Sequence, residues 1–113
     1  MRKILLGAAF SFVAASAMAQ GTPQGDAKAG LASFNKYGCY TCHGVVGQGT
    51  LRDGPRLNPP LPLPAMVVQL RTPRYEMPAY TEVQMPEKDI ADIHAYLSSL
   101  PKNPDPKAIR ELQ

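Results

Sequence analysis

Between residues 44 and 64 the chain carries Gly44, Gly47, Gly49, Gly54, Pro55, Pro59, Pro60, Pro62 and Pro64. Regular structure does not survive that density. Proline fixes φ and lacks the backbone donor, and glycine raises the entropy lost on ordering. The stretch therefore predicts a long irregular segment, and in a small domain such a segment usually has a function or wraps something. The whole chain is 113 residues, enough for one small domain. With 12 prolines and only short helical stretches left over, it buries little apolar surface by itself. Something besides side chains is needed to complete its core.

The first nineteen residues do not belong to that core. Arg2 and Lys3 precede an apolar run from Ile4 to Ala15, and Ala17-Met18-Ala19 forms an A-x-A site. This is the pattern of an export signal cleaved after Ala19. The uncharged run is too short for a membrane span, which takes about 20 residues. Residues 20–113, 94 in all, would remain, with Lys+Arg 10 against Asp+Glu 9. A near-neutral chain of this kind is a poor nucleic-acid binder. The expected location is the bacterial periplasm, with no membrane span after cleavage.

Residues 20–25 read as a flexible lead-in. Asp26 is the expected N-cap of a helix running through Tyr37, with Gly38 as its stop and Leu31 and Phe34 as its apolar contacts. Gly30 lies inside that helix, where it costs about 1 kcal/mol relative to Ala. A close neighbouring element would explain it. A short helix from Ala65 to about Arg71 should end before Pro73. The strongest periodicity is Ile90, Ile93, Leu97 and Leu100, with Tyr96 on the same face, in a helix over 87–100. Pro86 is expected at its first position, and Glu87 and Asp89 suit its positive end. No strand pattern is evident, so the fold class is all-α. Residues 101–113 read as a C-terminal tail.

Cys39-Tyr40-Thr41-Cys42-His43 is the C-x-x-C-H pattern of c-type haem attachment. Thiols three residues apart can each add to one vinyl group on the porphyrin edge, and the following imidazole then reaches the iron. A dithiol redox pair has the same C-x-x-C spacing, but it belongs after a strand, and here a helix precedes it. A structural zinc site needs four ligands, and beyond the motif only His94 remains. One covalent haem c, held by Cys39 and Cys42, also supplies the missing core.

An electron carrier usually fills the sixth iron position, and a methionine there raises the potential. Met77 sits before Pro78, which stiffens the loop and helps aim a thioether. Met85 directly precedes Pro86 and suits a hydrophobic staple. Met66, among Val67, Val68 and Leu70, reads as packing. His94 on the flank of the last helix reads as a partly exposed residue. Met77 is the leading candidate, and Met85, His94 and an open site are the alternatives.

Over residues 26–100 the chain resembles the class I c-type cytochromes, small monohaem electron carriers. Gly30 and Phe34 are similar to the Gly-x-x-x-aromatic pair of that family's first helix, and Tyr96 to the aromatic of its last. The resemblance implies three to four short helices around one haem, with the first and last crossing where that glycine makes room. Gly54-Pro55-Arg56-Leu57 resembles the family's G-P-x-L segment, which implies that the Pro55 carbonyl accepts a hydrogen bond from His43 Nδ1. Met77-Pro78-Ala79-Tyr80 resembles its M-P-x-F/Y ligand loop. Many relatives place a Trp near a haem propionate. This chain has none, and Arg56, Arg71 and Arg74 are candidate substitutes because guanidinium binds carboxylate in a two-pronged way. The segment from Pro59 to Pro64 is expected to pack as an extended lid on the haem.

The expected function is one-electron transfer between protein partners such as a dehydrogenase, a terminal oxidase or another cytochrome, without bond-making catalysis. The chain would act as a monomer, with Lys36, Arg52 and Arg56 near the exposed haem edge, or as a haem c subunit of a dehydrogenase or oxidase complex. A haem sensor with an open sixth site and a dithiol oxidoreductase are the remaining alternatives.

Overall fold

Asp26 has extended backbone, φ −105° and ψ 121°, and its Oδ1 accepts the Ala29 N–H at 2.7 Å. That capping bond starts α1, Ala27–Lys36. The structure is a computed structural model and describes residues 24–102, 107 and 110. The expected export signal, most of the lead-in and most of the tail lie outside the described residues.

Gly38, at φ 70°, ends α1. The Gly38 N–H bonds Asn35 O at 3.1 Å and the Cys39 N–H bonds Phe34 O at 3.1 Å. This is the Schellman pair, which needs a left-handed residue where Gly38 stands. The helix stop thus delivers Cys39 directly into α2, the single turn Tyr40–His43. Leu31, expected on the buried face, is exposed, and the buried residues of α1 are Gly30, Ser33 and Phe34.

Residues 44–62 are irregular, as their composition predicts. The third helix, α3, spans Leu63–Arg71 and so begins two residues before the expected Ala65. Pro64 falls in its first turn, where no N–H donor is needed, so this proline starts the helix rather than delaying it. Pro59, Leu61, Pro62 and Pro64 are exposed. The last helix, α4, spans Glu87–Ser99, with Pro86 one place earlier than expected, as N-cap. No strand occurs among the described residues, and the fold is all-α. No helix among them is long and apolar enough to cross a membrane.

The helices α1 and α4 meet backbone to backbone. A Cβ on Gly30 would lie 1.9 Å from Asp92 O and 2.7 Å from Tyr96 Cβ. Beside this crossing Phe34 and Tyr96 pack at 5.5 Å between ring centroids. Asp92, 4% exposed, accepts the Asp26 N–H at 2.7 Å and the Lys88 ammonium at 2.6 Å. The cap of α1 is therefore itself tied to α4. Leu70, Met85, Ile90, Ile93 and Leu97 complete the core with Phe34 and Tyr96. Met85, just before the N-cap Pro86, and Ile90, four residues into α4, are both fully buried in that core, the N′ and N4 positions of a hydrophobic staple.

Candidate functional site

The one-turn helix α2 places Cys39 and Cys42 on one face and His43 at its end. Cys39 packs against the core and Cys42 is exposed, and neither is in a disulfide. Burial pushes the Cys39 thiol up to about 11. Dithiol exchange needs an accessible thiolate, so this cysteine is poorly suited to redox-thiol chemistry.

His43 is buried, and its Nδ1 lies 2.7 Å from Pro55 O. A carbonyl can only accept, so Nδ1 carries the proton and donates. The Nε2 lone pair is left available to a metal. The approach of these two residues depends on Gly54, where a Cβ would sit 2.9 Å from both His43 Nδ1 and Cys42 O. Thr50 holds the same loop down. Its Oγ1 donates to Cys42 O at 3.2 Å and accepts the Asp53 N–H at 2.9 Å.

Met77 lies half-buried in the loop after α3. Gln69 Nε2 donates to its Sδ at 3.7 Å. The loop is fastened on both sides of that contact. The Tyr80 N–H bonds Leu70 O at 2.9 Å, and Arg71 Nη1 donates to Tyr80 O at 2.9 Å and Thr81 O at 3.2 Å. The Tyr80 hydroxyl donates to Tyr37 O at 3.2 Å. Burial raises the pKa of Tyr80 above the ordinary phenol value. The Met77 loop is thus latched to the segment that enters the C-x-x-C-H turn. Met66 packs against the core, and His94 is half-buried on α4.

The three candidate arginines separate. Arg56 is exposed, donates from Nε to Asn58 O at 2.6 Å, and lines a shallow cleft with Gln48 and Lys102. Arg74 is exposed. Arg71 alone has buried guanidinium nitrogens, Nε and Nη2, with no hydrogen-bond partner in the polypeptide. Unpaired buried N–H groups of a cation are costly and call for an anionic acceptor. Lys36, expected near the haem edge, is exposed and pairs with Asp89 at 3.4 Å. That pairing and its bond to Tyr37 raise its pKa, the Tyr37 bond being the larger cause.

Gln69 and Thr50 have no signal of their own in the chain. Gln69 could have been noticed as the one uncharged polar side chain in Leu63–Arg71. This set fits a covalent haem. It offers two thiols on one turn, an imidazole with a free Nε2, a thioether held in a fastened loop, and unpaired guanidinium donors for carboxylates. No curated protein and no solved structure matches the chain. Residues 25–97, well over half of it, match the family described as cytochrome c oxidase, cbb3-type, subunit III, and the chain belongs to that family as a class I c-type cytochrome with covalently bound haem c.

Proposed function

We propose that the chain is a one-electron carrier of the periplasm in which His43 Nε2 and Met77 Sδ are the axial ligands of a single haem. Electron transfer by c-type haem follows from the family. The observation that carries the finer reading is the 2.7 Å bond from His43 Nδ1 to Pro55 O. It fixes the tautomer and the ring plane, and it strengthens the imidazole as a donor.

When bound, the haem supplies an iron that cycles between ferric and ferrous. The polypeptide supplies everything that tunes it. Cys39 and Cys42 would hold the ring through two thioethers, and His43 and Met77 would hold the iron. The guanidinium of Arg71 is the candidate partner for a propionate, in preference to Arg56 and Arg74, because only its nitrogens are buried and unpaired. A haem packed against the core of Phe34, Leu70 and Leu97, with the partly buried Leu57 and Met66 beside it, would sit in apolar surroundings that favour the less charged, ferrous state.

Visible spectra of the chain, expressed with its N-terminal segment in a haem-attaching host, test this reading. Haem that resists acid-acetone extraction and a weak red ferric band that disappears in Met77→Ala are the expected results. Extractable haem, or a red band unaffected by Met77→Ala, would overturn the attachment or the ligation respectively.

A second reading, a haem c subunit of an oxidase complex, is favoured by the family description itself. Size-exclusion chromatography of detergent-solubilised whole cells of the native host separates the two. A free carrier elutes near its own mass, and a subunit elutes with an oxidase.

A further inference from the structure

We infer that Tyr37 is a redox-active residue that gives an electron to small radical oxidants while its phenolic proton passes to Asp89, and that it then takes the electron back from ferrous iron and the proton back from Asp89. This rests on the haem c of the family, and not on Met77 as a ligand. The chain has 5 tyrosines and no tryptophan. With both cysteines in thioethers, the tyrosines are the side chains most readily oxidised by one electron. A phenol gives up that electron at an accessible potential only where a base takes its proton. The Tyr37 hydroxyl donates to Asp89 Oδ2 at 2.5 Å, and among the described residues no other tyrosine donates to a carboxylate. Tyr80 donates to a backbone carbonyl, which is no base.

The surroundings couple the two transfers. Lys36 Nζ donates to the Tyr37 hydroxyl oxygen at 3.1 Å and lies 4.7 Å from the ring centroid. A cation there opposes positive charge left on the ring, so the electron leaves together with the proton and not ahead of it. Burial, and after it the bond to Asp89, raise the pKa of Tyr37, so the phenol is the form present at neutral pH. Tyr37 is half-buried and the Asp89 side chain is 24% exposed, so a small oxidant reaches the pair from solvent. On its other side the Tyr37 ring meets Tyr80 edge-on at 6.0 Å, and Cys39, a point of haem attachment, follows two residues later. In the first step a radical of the peroxyl or nitrogen dioxide class takes one electron and leaves as its anion. The Tyr37 O–H bond breaks and an O–H bond forms on Asp89. In the second, ferrous iron gives one electron and becomes ferric, and Asp89 returns the proton, so phenol and carboxylate are both restored.

The test is pulse radiolysis of the ferrous holoprotein with azide radicals, which oxidise tyrosine, followed through the ferrous visible bands. Direct oxidation of the haem ends when the azide radicals are consumed. The route through Tyr37 adds a later first-order phase whose rate does not depend on protein concentration. That phase is expected in the wild type, where heavy water should slow it, and in Tyr75→Phe, which alters an exposed ring. It should be absent in Tyr37→Phe. Asp89→Asn keeps a hydrogen-bond acceptor but is no base, and it should slow the phase about tenfold or more. This variant carries the test if Tyr37→Phe fails to accumulate. A nitroso spin trap present during radiolysis of the ferric protein gives a second readout, and peptide mass spectrometry should find its adduct on Tyr37. A first-order phase that survives in Tyr37→Phe, an unchanged rate in Asp89→Asn, or adducts confined to Tyr40 and Tyr75 would overturn the inference. Absence of haem bands in the wild type would instead refute haem attachment, the premise on which the inference rests.

Discussion

His43 Nδ1 and Pro55 O stand 2.7 Å apart, and Gly54 has no room for a Cβ between them and Cys42. Donation from Nδ1 makes the imidazole more electron-rich, whereas donation to Met77 Sδ makes the thioether poorer. With His43 and Met77 as the proposed ligands, the two bonds would push the potential in opposite directions, so removing them should have opposite effects.

Gly54→Ala tests the histidine side. Its methyl would meet His43 Nδ1 and Cys42 O at 2.9 Å each, closer than real contacts allow. The loop must move, and the bond to Pro55 should lengthen or break. A weaker imidazole donor favours ferrous iron, so the midpoint potential should rise. Overpacking should also lower stability by about 1–3 kcal/mol. Spectroelectrochemistry and chemical denaturation measure the two effects separately.

At the crossing of α1 and α4, Gly30→Ala should destabilise the fold even though alanine is the better helix former. The propensity gain is about 1 kcal/mol. Against it stands a methyl 1.9 Å from Asp92 O, which no side-chain rotation relieves. Separating two helices in backbone contact also disturbs Phe34 against Tyr96. The net loss should be about 2 kcal/mol or more, read as a lower denaturation midpoint. A midpoint equal to or above the wild type would mean that the helices are not held at this distance in solution.

How much of this was legible in the chain divides by range. Asp26, Gly38 and the spacing of Ile90, Ile93 and Leu97 act locally, and they place the first and last helices to within one or two residues. The Cys39-Cys42-His43 spacing is local as well. Leu31 was misjudged because the buried face of α1 is set by where α4 crosses it, at Gly30, and not by the spacing within α1 alone. Pro64 counts as a breaker in sequence, yet it is harmless in a first turn. The three arginines are equivalent in the chain. Only tertiary burial separates Arg71 from Arg56 and Arg74. Gln69 gives no periodic signal, because its partner lies in the following loop and is fixed by bonds from Leu70 and Arg71.

Acid stability should report on Asp92. The Lys88 ammonium, and after it the Asp26 N–H, hold its carboxyl below the usual value of 3.8 despite the opposing effect of burial. A depressed folded-state pKa contributes stability that is fully present above the unfolded value, about 3.9. That contribution is lost as pH falls through the lower folded value. At neutral pH Asp92→Ala should cost about 1–3 kcal/mol, since it leaves the Asp26 N–H without its partner. The gap between variant and wild type should stay constant from pH 7 to 5 and narrow below pH 4. Denaturation curves at successive pH values would show it, and a gap that widens on acidification would contradict the sign.

Arg71 carries two roles that substitution can separate. Nη1 fastens the Met77 loop through Tyr80 O and Thr81 O, while Nε and Nη2 are buried with no acceptor in the polypeptide. Arg71→Leu removes both. The two carbonyls lose a donor, which should cost about 1–3 kcal/mol. Any propionate beside them also loses its cation. A propionate paired with Arg71 would stay ionised well below neutral pH, so the midpoint potential should be flat between pH 6 and 8. Without it, the carboxylate is buried and unpaired, and its pKa should climb toward neutrality. The potential of the variant should then fall with rising pH across that range, since ionisation of a nearby acid favours ferric iron. Arg71→Lys keeps the charge without the two-pronged geometry, and it should stay flat while losing stability. A flat profile in folded Arg71→Leu would assign the arginine to the loop alone. A slope in the leucine variant that the lysine variant lacks would assign it to the haem as well.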